Sequence, residues 1–108
     1  MARQYHLEKE GNDSKRLYCI ARDQSYHGNT LGALSLSGHK ARRAPYEAML
    51  MPNISRISAC NEYRDRWEGE NSKDYVTRKA QELEDLFQEI GPEKVVGFWM
   101  EPISGAVS

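Results

Sequence analysis

Near the end of the chain an amphipathic stretch runs directly into an apolar one, and that junction limits the possible folds more than any other feature. Between residues 72 and 90, Val76, Ala80, Leu83, Phe87 and Ile90 recur at spacings of four and three, which predicts a helix with one apolar face. Asn71 or Ser72 is suited to cap its start, Asp74 puts an anion in the first turn, and Gly91-Pro92 ends it. Val95-Val96-Gly97-Phe98-Trp99-Met100 follows and stops abruptly at Glu101-Pro102. An apolar run without alternation predicts a strand covered on both faces, as in a parallel sheet, so an α/β architecture is expected.

The earlier chain supports the same class. Residues 2–8 read as a short helix, and Gly11-Asn12-Asp13-Ser14 as a break. Leu17-Tyr18-Cys19-Ile20-Ala21 is a second continuous apolar run, flanked by basic residues, and predicts another buried strand. Gly28 permits a sharp turn after it, Asn29 or Thr30 can cap a helix, and Leu31, Ala33, Leu34 and Leu36 give that helix an apolar surface up to Gly38. Residues 39–52, with two prolines and no clear period, predict a long loop with one helical turn near residues 47–50. Residues 54–60 are a more polar strand, expected near a sheet edge, and the charged residues 61–71 a surface connection.

Composition narrows the function classes. The formal net charge is -1 over 108 residues, so no global field favours nucleic acid or an anionic membrane. No apolar run approaches the roughly 20 residues of a membrane span, and the start has no signal-peptide core, so a soluble, cytoplasmic protein is expected. Cys19 and Cys60 lie far apart without CxxC spacing or neighbouring histidines; buried thiols in a reducing compartment are expected, and no metal site. Three parallel strands with few helices leave faces and edges uncovered, which predicts a piece of a larger sheet.

In open parallel sheets ligands bind beyond the carboxyl ends of the strands. Here those ends carry Asp23-Gln24-Ser25-Tyr26-His27-Gly28 and Glu101-Pro102-Ile103-Ser104-Gly105. Tyr26 fits a ring stacked on a planar heteroaromatic ligand and equally a rim tyrosine. His27 suits a ligand, a general base or an imidazole bonded to backbone. Glu101 is either exposed at the rim or held by a partner. Lys40, Arg42 and Arg43 suit an anionic substrate group or a solvated loop. Asp23, Ser25 and His27 sit at alternate positions, which argues against a nucleophile–base–orienter relay, and Gly28-Asn29-Thr30-Leu31-Gly32 is too short for a phosphate-loop fingerprint.

Taken together, Tyr26-His27-Gly28-Asn29-Thr30, the segment from Gly38 through Arg42, Arg43, Ala44 and Pro45 to Glu47, and Glu101-Pro102-Ile103-Ser104-Gly105-Ala106 resemble the class-III, pyridoxal-phosphate-dependent aminotransferases. The similarity runs in order along essentially the whole chain. It implies residues 1–108 as an internal fragment of the large domain of a type-I transferase fold, with three of the strands of a mainly parallel, seven-stranded sheet and residues 17–22 in the middle. The resemblance further implies that Tyr26 stacks on the pyridoxal ring, that Gly28 lets the chain turn beside it, that His27 supports the loop, and that Glu101 lies at the cofactor's edge. Arg42 and Arg43 would face the substrate. The full-length enzyme would move an amino group from an amino acid or amine to a 2-oxo acid, with pyridoxal 5'-phosphate as cofactor and as a homodimer.

Where the chain departs from the family pattern, parts are missing. The phosphate loop, the aspartate of the pyridine nitrogen and the Schiff-base lysine are absent; Lys40, Lys73, Lys79 and Lys94 precede the lysine's place in family order, so no catalytic residue is assigned. The isolated chain is expected to be inactive. A non-catalytic α/β binding module and another enzyme of the same fold, an aminomutase or a decarboxylase, are the alternatives.

Overall fold

The computed structural model describes residues 1–103. Helix α1 (Ala2–Glu10) leads through a turn to β1 (Tyr18–Arg22), then come α2 (Leu31–Leu36), α3 (Lys40–Arg43), a 3-10 segment (Ala44–Met49), β2 (Ile54–Ile57), the one-turn α4 (Glu62–Asp65), α5 (Ser72–Ile90), a 3-10 turn (Pro92–Lys94) and β3 (Val95–Phe98). The three strands form one parallel sheet in the order β2-β1-β3. The α/β class, the parallel pairing and the central place of the first strand are as the sequence implied. No helix among the described residues is long and apolar enough to cross a membrane.

The centre of β1 is fully buried. Ile20 and Ala21 are both at 0% exposure, and because neighbouring strand residues point to opposite faces, both faces are covered there. Ile20, Ile57 and Val95 form the core, and Leu83, Leu86, Phe87 and Ile90 of α5 pack on it together with Phe98. Helix α5 therefore covers one face of the sheet. Asn71 caps it by accepting the Asp74 N–H at 2.8 Å, and Gly91, at φ 102°, ends it where an L side chain would be strained.

Leu83, Phe87 and Ile90 lie on the core side as expected, but the first half of α5 departs from the expected stripe. Val76 is 62% exposed and Ala80 is exposed, whereas Tyr75 and Lys79 are buried. The burial of Lys79 has a polar cause. Its ammonium reaches the Ser58 hydroxyl at the end of β2 and lies 3.6 Å from the Glu82 carboxylate, so the aliphatic stem can pack inward with the charge satisfied. Glu82 also accepts the Ser58 N–H at 2.6 Å and its hydroxyl at 2.7 Å. Burial alone would push the Glu82 carboxyl upward, but these hydrogen bonds and the Lys79 charge outweigh it and hold the group below the usual carboxylate range.

Three further expectations change. Residues 39–52 are not a loop with a single turn but α3 followed by the 3-10 segment, because His39 O accepts both the Arg42 and Arg43 N–H groups at 3.1 Å and Pro45 pre-sets the next turn. The second strand ends at Ile57 rather than at residue 60, where the Ser58 backbone turns to Glu82 instead of the sheet. Of the two free cysteines, Cys19 is partly covered and burial pushes its thiol up, but Cys60 is exposed.

Candidate functional site: the strand ends of β1 and β3

The site begins where β1 stops. Gln24 takes φ 56°, which turns the chain sharply out of the sheet, and Gly28 takes φ 131° before Thr30 caps α2 by accepting the Ala33 N–H at 3.3 Å. A Cβ at Gly28 would meet the Ala33 Cβ at 3.0 Å, so both space and dihedral favour glycine there. Between these two bends lie Ser25, Tyr26 and His27.

Across the gap, residues following β3 close the site. The Glu101 carboxylate accepts the Tyr26 N–H at 2.9 Å, and the Glu101 carbonyl accepts from Arg22 Nη2 at 2.6 Å. Glu101 thus has a partner and joins two segments 75 residues apart in sequence. Sequence reasoning left open whether it would be held or exposed; the structure holds it. Tyr26 donates its hydroxyl to Asn29 Oδ1 at 3.2 Å, and the Arg42 guanidinium lies over its ring, 4.8 Å from the centroid. One face of the ring is therefore taken by a cation–π contact with Arg42.

His27 is anchored through its backbone, whose N–H donates to Ser37 Oγ at 2.8 Å. Its ring Nε2 is buried with no hydrogen-bond partner among the described residues. A buried, orphaned imidazole nitrogen is costly unless something beyond these residues pairs with it.

The two arginines part company. Arg42 is exposed, makes no ion pair among the described residues, and lines a cavity of about 440 Å³ with Asn29, Leu31, Leu34, Pro45 and Tyr46. Arg43 is spent within the chain: its Nη1 donates to the carbonyls of Leu34, Ser35 and Ser37 at 2.9, 2.8 and 2.8 Å, and its Nη2 lies 3.3 Å from the Glu47 carboxylate. The family-order lysines are also accounted for in part, since Lys79 is buried against Ser58 and Glu82.

Ser37 and Arg22 were not singled out from the sequence, and Asn29 only as a possible cap of α2, a task that Thr30 takes. The only signal for Ser37 was its place before Gly38, a position that proves sterically demanding: a Cβ on Gly38 would lie 2.5 Å from the Arg22 carbonyl oxygen.

Two strand-end loops thus meet at the carboxyl edge of a parallel sheet, the place where α/β sheets commonly bind ligands, and bring together a tyrosine ring, an orphaned imidazole and a clamped carboxylate. The family model for aminotransferase class-III matches residues 1–107, and the chain belongs to the class-III aminotransferase family. An aminotransferase of Gibberella zeae is 50% identical over 107 residues, covering 98% of this chain and 21% of that protein. A thermostable (S)-enantioselective omega-transaminase from Thermomicrobium roseum superposes with a TM-score of 0.85 at 32% identity, over 97% of this chain and 22% of that structure. The omega transaminase of Pseudomonas jessenii in complex with PMP gives a TM-score of 0.84 at 27% identity, over 94% of this chain and 22% of that one. The chain spans about a fifth of the length of the relatives it matches.

Proposed function

We propose that residues 1–108 are an internal part of the cofactor-binding large domain of a transaminase that moves an amino group from an amino acid or amine to a 2-oxo acid. The carrying observation is the 2.9 Å hydrogen bond from the Tyr26 N–H to Glu101, which ties together the two family motifs at the place where parallel sheets bind ligands. The residues present fit pyridoxal 5'-phosphate: a tyrosine ring able to stack, a glycine turn without room for a side chain, and a buried imidazole nitrogen lacking a partner. That a solved relative is in complex with PMP supports the same cofactor.

When bound, the cofactor supplies an electron sink for breaking bonds at the amine carbon. The chain's own residues bind and orient it. Tyr26, with its hydroxyl held by Asn29, would hold the cofactor by stacking and fix its orientation. Glu101 holds the Tyr26 N–H and would lie beside the bound cofactor, His27 would support the loop, and Gly28 would let the backbone approach. Arg42, with no carboxylate of its own, is suited to a substrate carboxylate in the adjoining cavity. Arg43, proposed from its motif for the same task, is better suited to holding the α2 carbonyls it already binds.

The complete protein would be a homodimer, which the exposed Met49 (65%) and Met51 (53%) fit as surface awaiting cover. A cytoplasmic location fits the two free cysteines. The test is titration of pyridoxal phosphate into the polypeptide that carries this segment, followed by its visible absorbance. Tyr26→Ala is expected to weaken binding by about tenfold, equivalent to ~1.4 kcal/mol, a size within reach of one lost stacking contact. An unchanged Kd in that variant overturns the assignment of Tyr26.

A further inference from the structure

Behind the Tyr26 loop lies a dry polar knot that none of the motif residues explains. Ser25, Ser35 and Ser37 are at 2%, 1% and 0% exposure. Ser37 Oγ accepts the His27 N–H at 2.8 Å and donates to the Ala33 carbonyl at 3.1 Å. Beside it the Gly38 N–H donates to Ser25 O at 2.9 Å and lies 3.2 Å from Ser25 Oγ, while the Gln24 N–H donates to Gly38 O at 3.2 Å. Ser25 Oγ closes back on the Arg22 carbonyl at 2.7 Å. Residues 37–38 therefore run alongside residues 24–27 and are bonded to them on both sides of Tyr26's own position.

What holds residues 37–38 in turn is unusual. Two guanidinium groups converge on the same carbonyls at the carboxyl end of α2: Arg43 on Leu34, Ser35 and Ser37, and Arg56 on Ser35 and on Ser37, the latter at 3.0 Å. Two like charges brought together in a half-buried place repel and are desolvated, and both burial and Arg43 act on Arg56 in that sense. The arrangement persists because the carbonyls at a helix end carry partial negative charge and lack intrahelical partners. Planar forks with several donors fix those carbonyls in direction as well as distance, which a single ammonium cannot do.

We propose that Ser37, braced by Arg43 and Arg56, is a positioning residue that sets the height and tilt of the Tyr26–His27 loop against the cofactor ring; the cofactor part rests on the function proposed above. The brace acts through the backbone: the arginines hold the Ser37 carbonyl, Ser37 Oγ holds the His27 N–H, and Glu101 holds the Tyr26 N–H from the opposite side. Neither arginine touches a substrate in this role, and Arg43 leaves the substrate side to Arg42.

The experiment uses the full polypeptide carrying this segment, as wild type, Ser37→Ala and Arg43→Lys, with two readouts. Amide hydrogen exchange at His27 is measured without added cofactor, and the induced circular dichroism of the visible band is measured with pyridoxal phosphate bound. Ser37→Ala, which removes an acceptor and almost no volume, is expected to speed His27 exchange at least tenfold and to reduce the induced signal per bound cofactor by about half; Arg43→Lys is expected to do the same to a smaller extent. Unchanged His27 exchange in both variants overturns the brace. Faster exchange with an unaltered induced signal overturns its role in setting the ring. If the wild type shows no cofactor band at all, the proposed function fails and takes the cofactor part with it, while the exchange arm still decides whether Ser37 holds the loop.

Discussion

The Glu101 carboxylate accepts from the Tyr26 amide while its carbonyl accepts from Arg22, so a single residue couples the ends of β1 and β3. Removing the side chain leaves the Tyr26 N–H without its acceptor. Glu101→Ala is expected to cost about 1–3 kcal/mol in unfolding free energy by denaturant titration, and Glu101→Gln, which keeps an acceptor oxygen, less than half of that. Gly38 is a steric counterpart, since any Cβ would fall 2.5 Å from Arg22 O and 2.7 Å from Gln24 N. Gly38→Ala is expected to destabilise by about 1–3 kcal/mol or more, with the loss seen as a lower denaturation midpoint. Glu101 stood out in the sequence because it ends an apolar run. Ser37 did not, and Asn29 was legible only as a possible helix cap, because a small polar residue shows its task only through partners that the fold brings near.

At the scale of elements, α5 was legible in extent and in the face of its second half, where Leu83, Phe87 and Ile90 pack on the core, but not in the face of its first half. Its caps and its length follow from Asn71, Asp74 and Gly91-Pro92, which act locally. The burial of Lys79 in that first half follows from Ser58 and Glu82 drawing it inward, with Ser58 lying 21 positions away, a contact that no helical period encodes. Val76→Ser is therefore expected to change stability by no more than about 0.5 kcal/mol, and Leu83→Ala to cost about 2 kcal/mol; equal costs would put Val76 back on the apolar face that periodicity predicts. The same contact gives a pH dependence. The Glu82 carboxyl is depressed in the folded chain, so it contributes stability above the unfolded carboxyl pKa of about 4.3, and that contribution is lost as pH falls through the folded value. Stability followed from pH 6 downward is expected to fall less steeply in Glu82→Gln than in the wild type. Residues 39–52 escaped the sequence reading for a related reason: their two short helical pieces are held by Arg43 and by the Met51 N–H donating to Ser35 Oγ at 2.9 Å, not by any period of their own.

For the whole molecule, the parallel order β2-β1-β3 and the matched family support the proposal that this unit carries one wall of a cofactor site. Tyr26, His27, Gly28 and Glu101 converge there, while the lysine that would bond the cofactor has no counterpart among the residues assigned by family order. The isolated chain is expected to turn over no amino donor, and any measurable transamination by it would contradict that assignment. The most direct test of the account is borohydride reduction of the native polypeptide carrying this segment, in the presence of pyridoxal phosphate, followed by peptide mapping and mass measurement. A product about five times the length of this chain, as its relatives suggest, with a pyridoxyl-modified lysine outside residues 1–108, is the expected result. A native product of 12.4 kDa without a modified lysine would contradict the proposed transaminase.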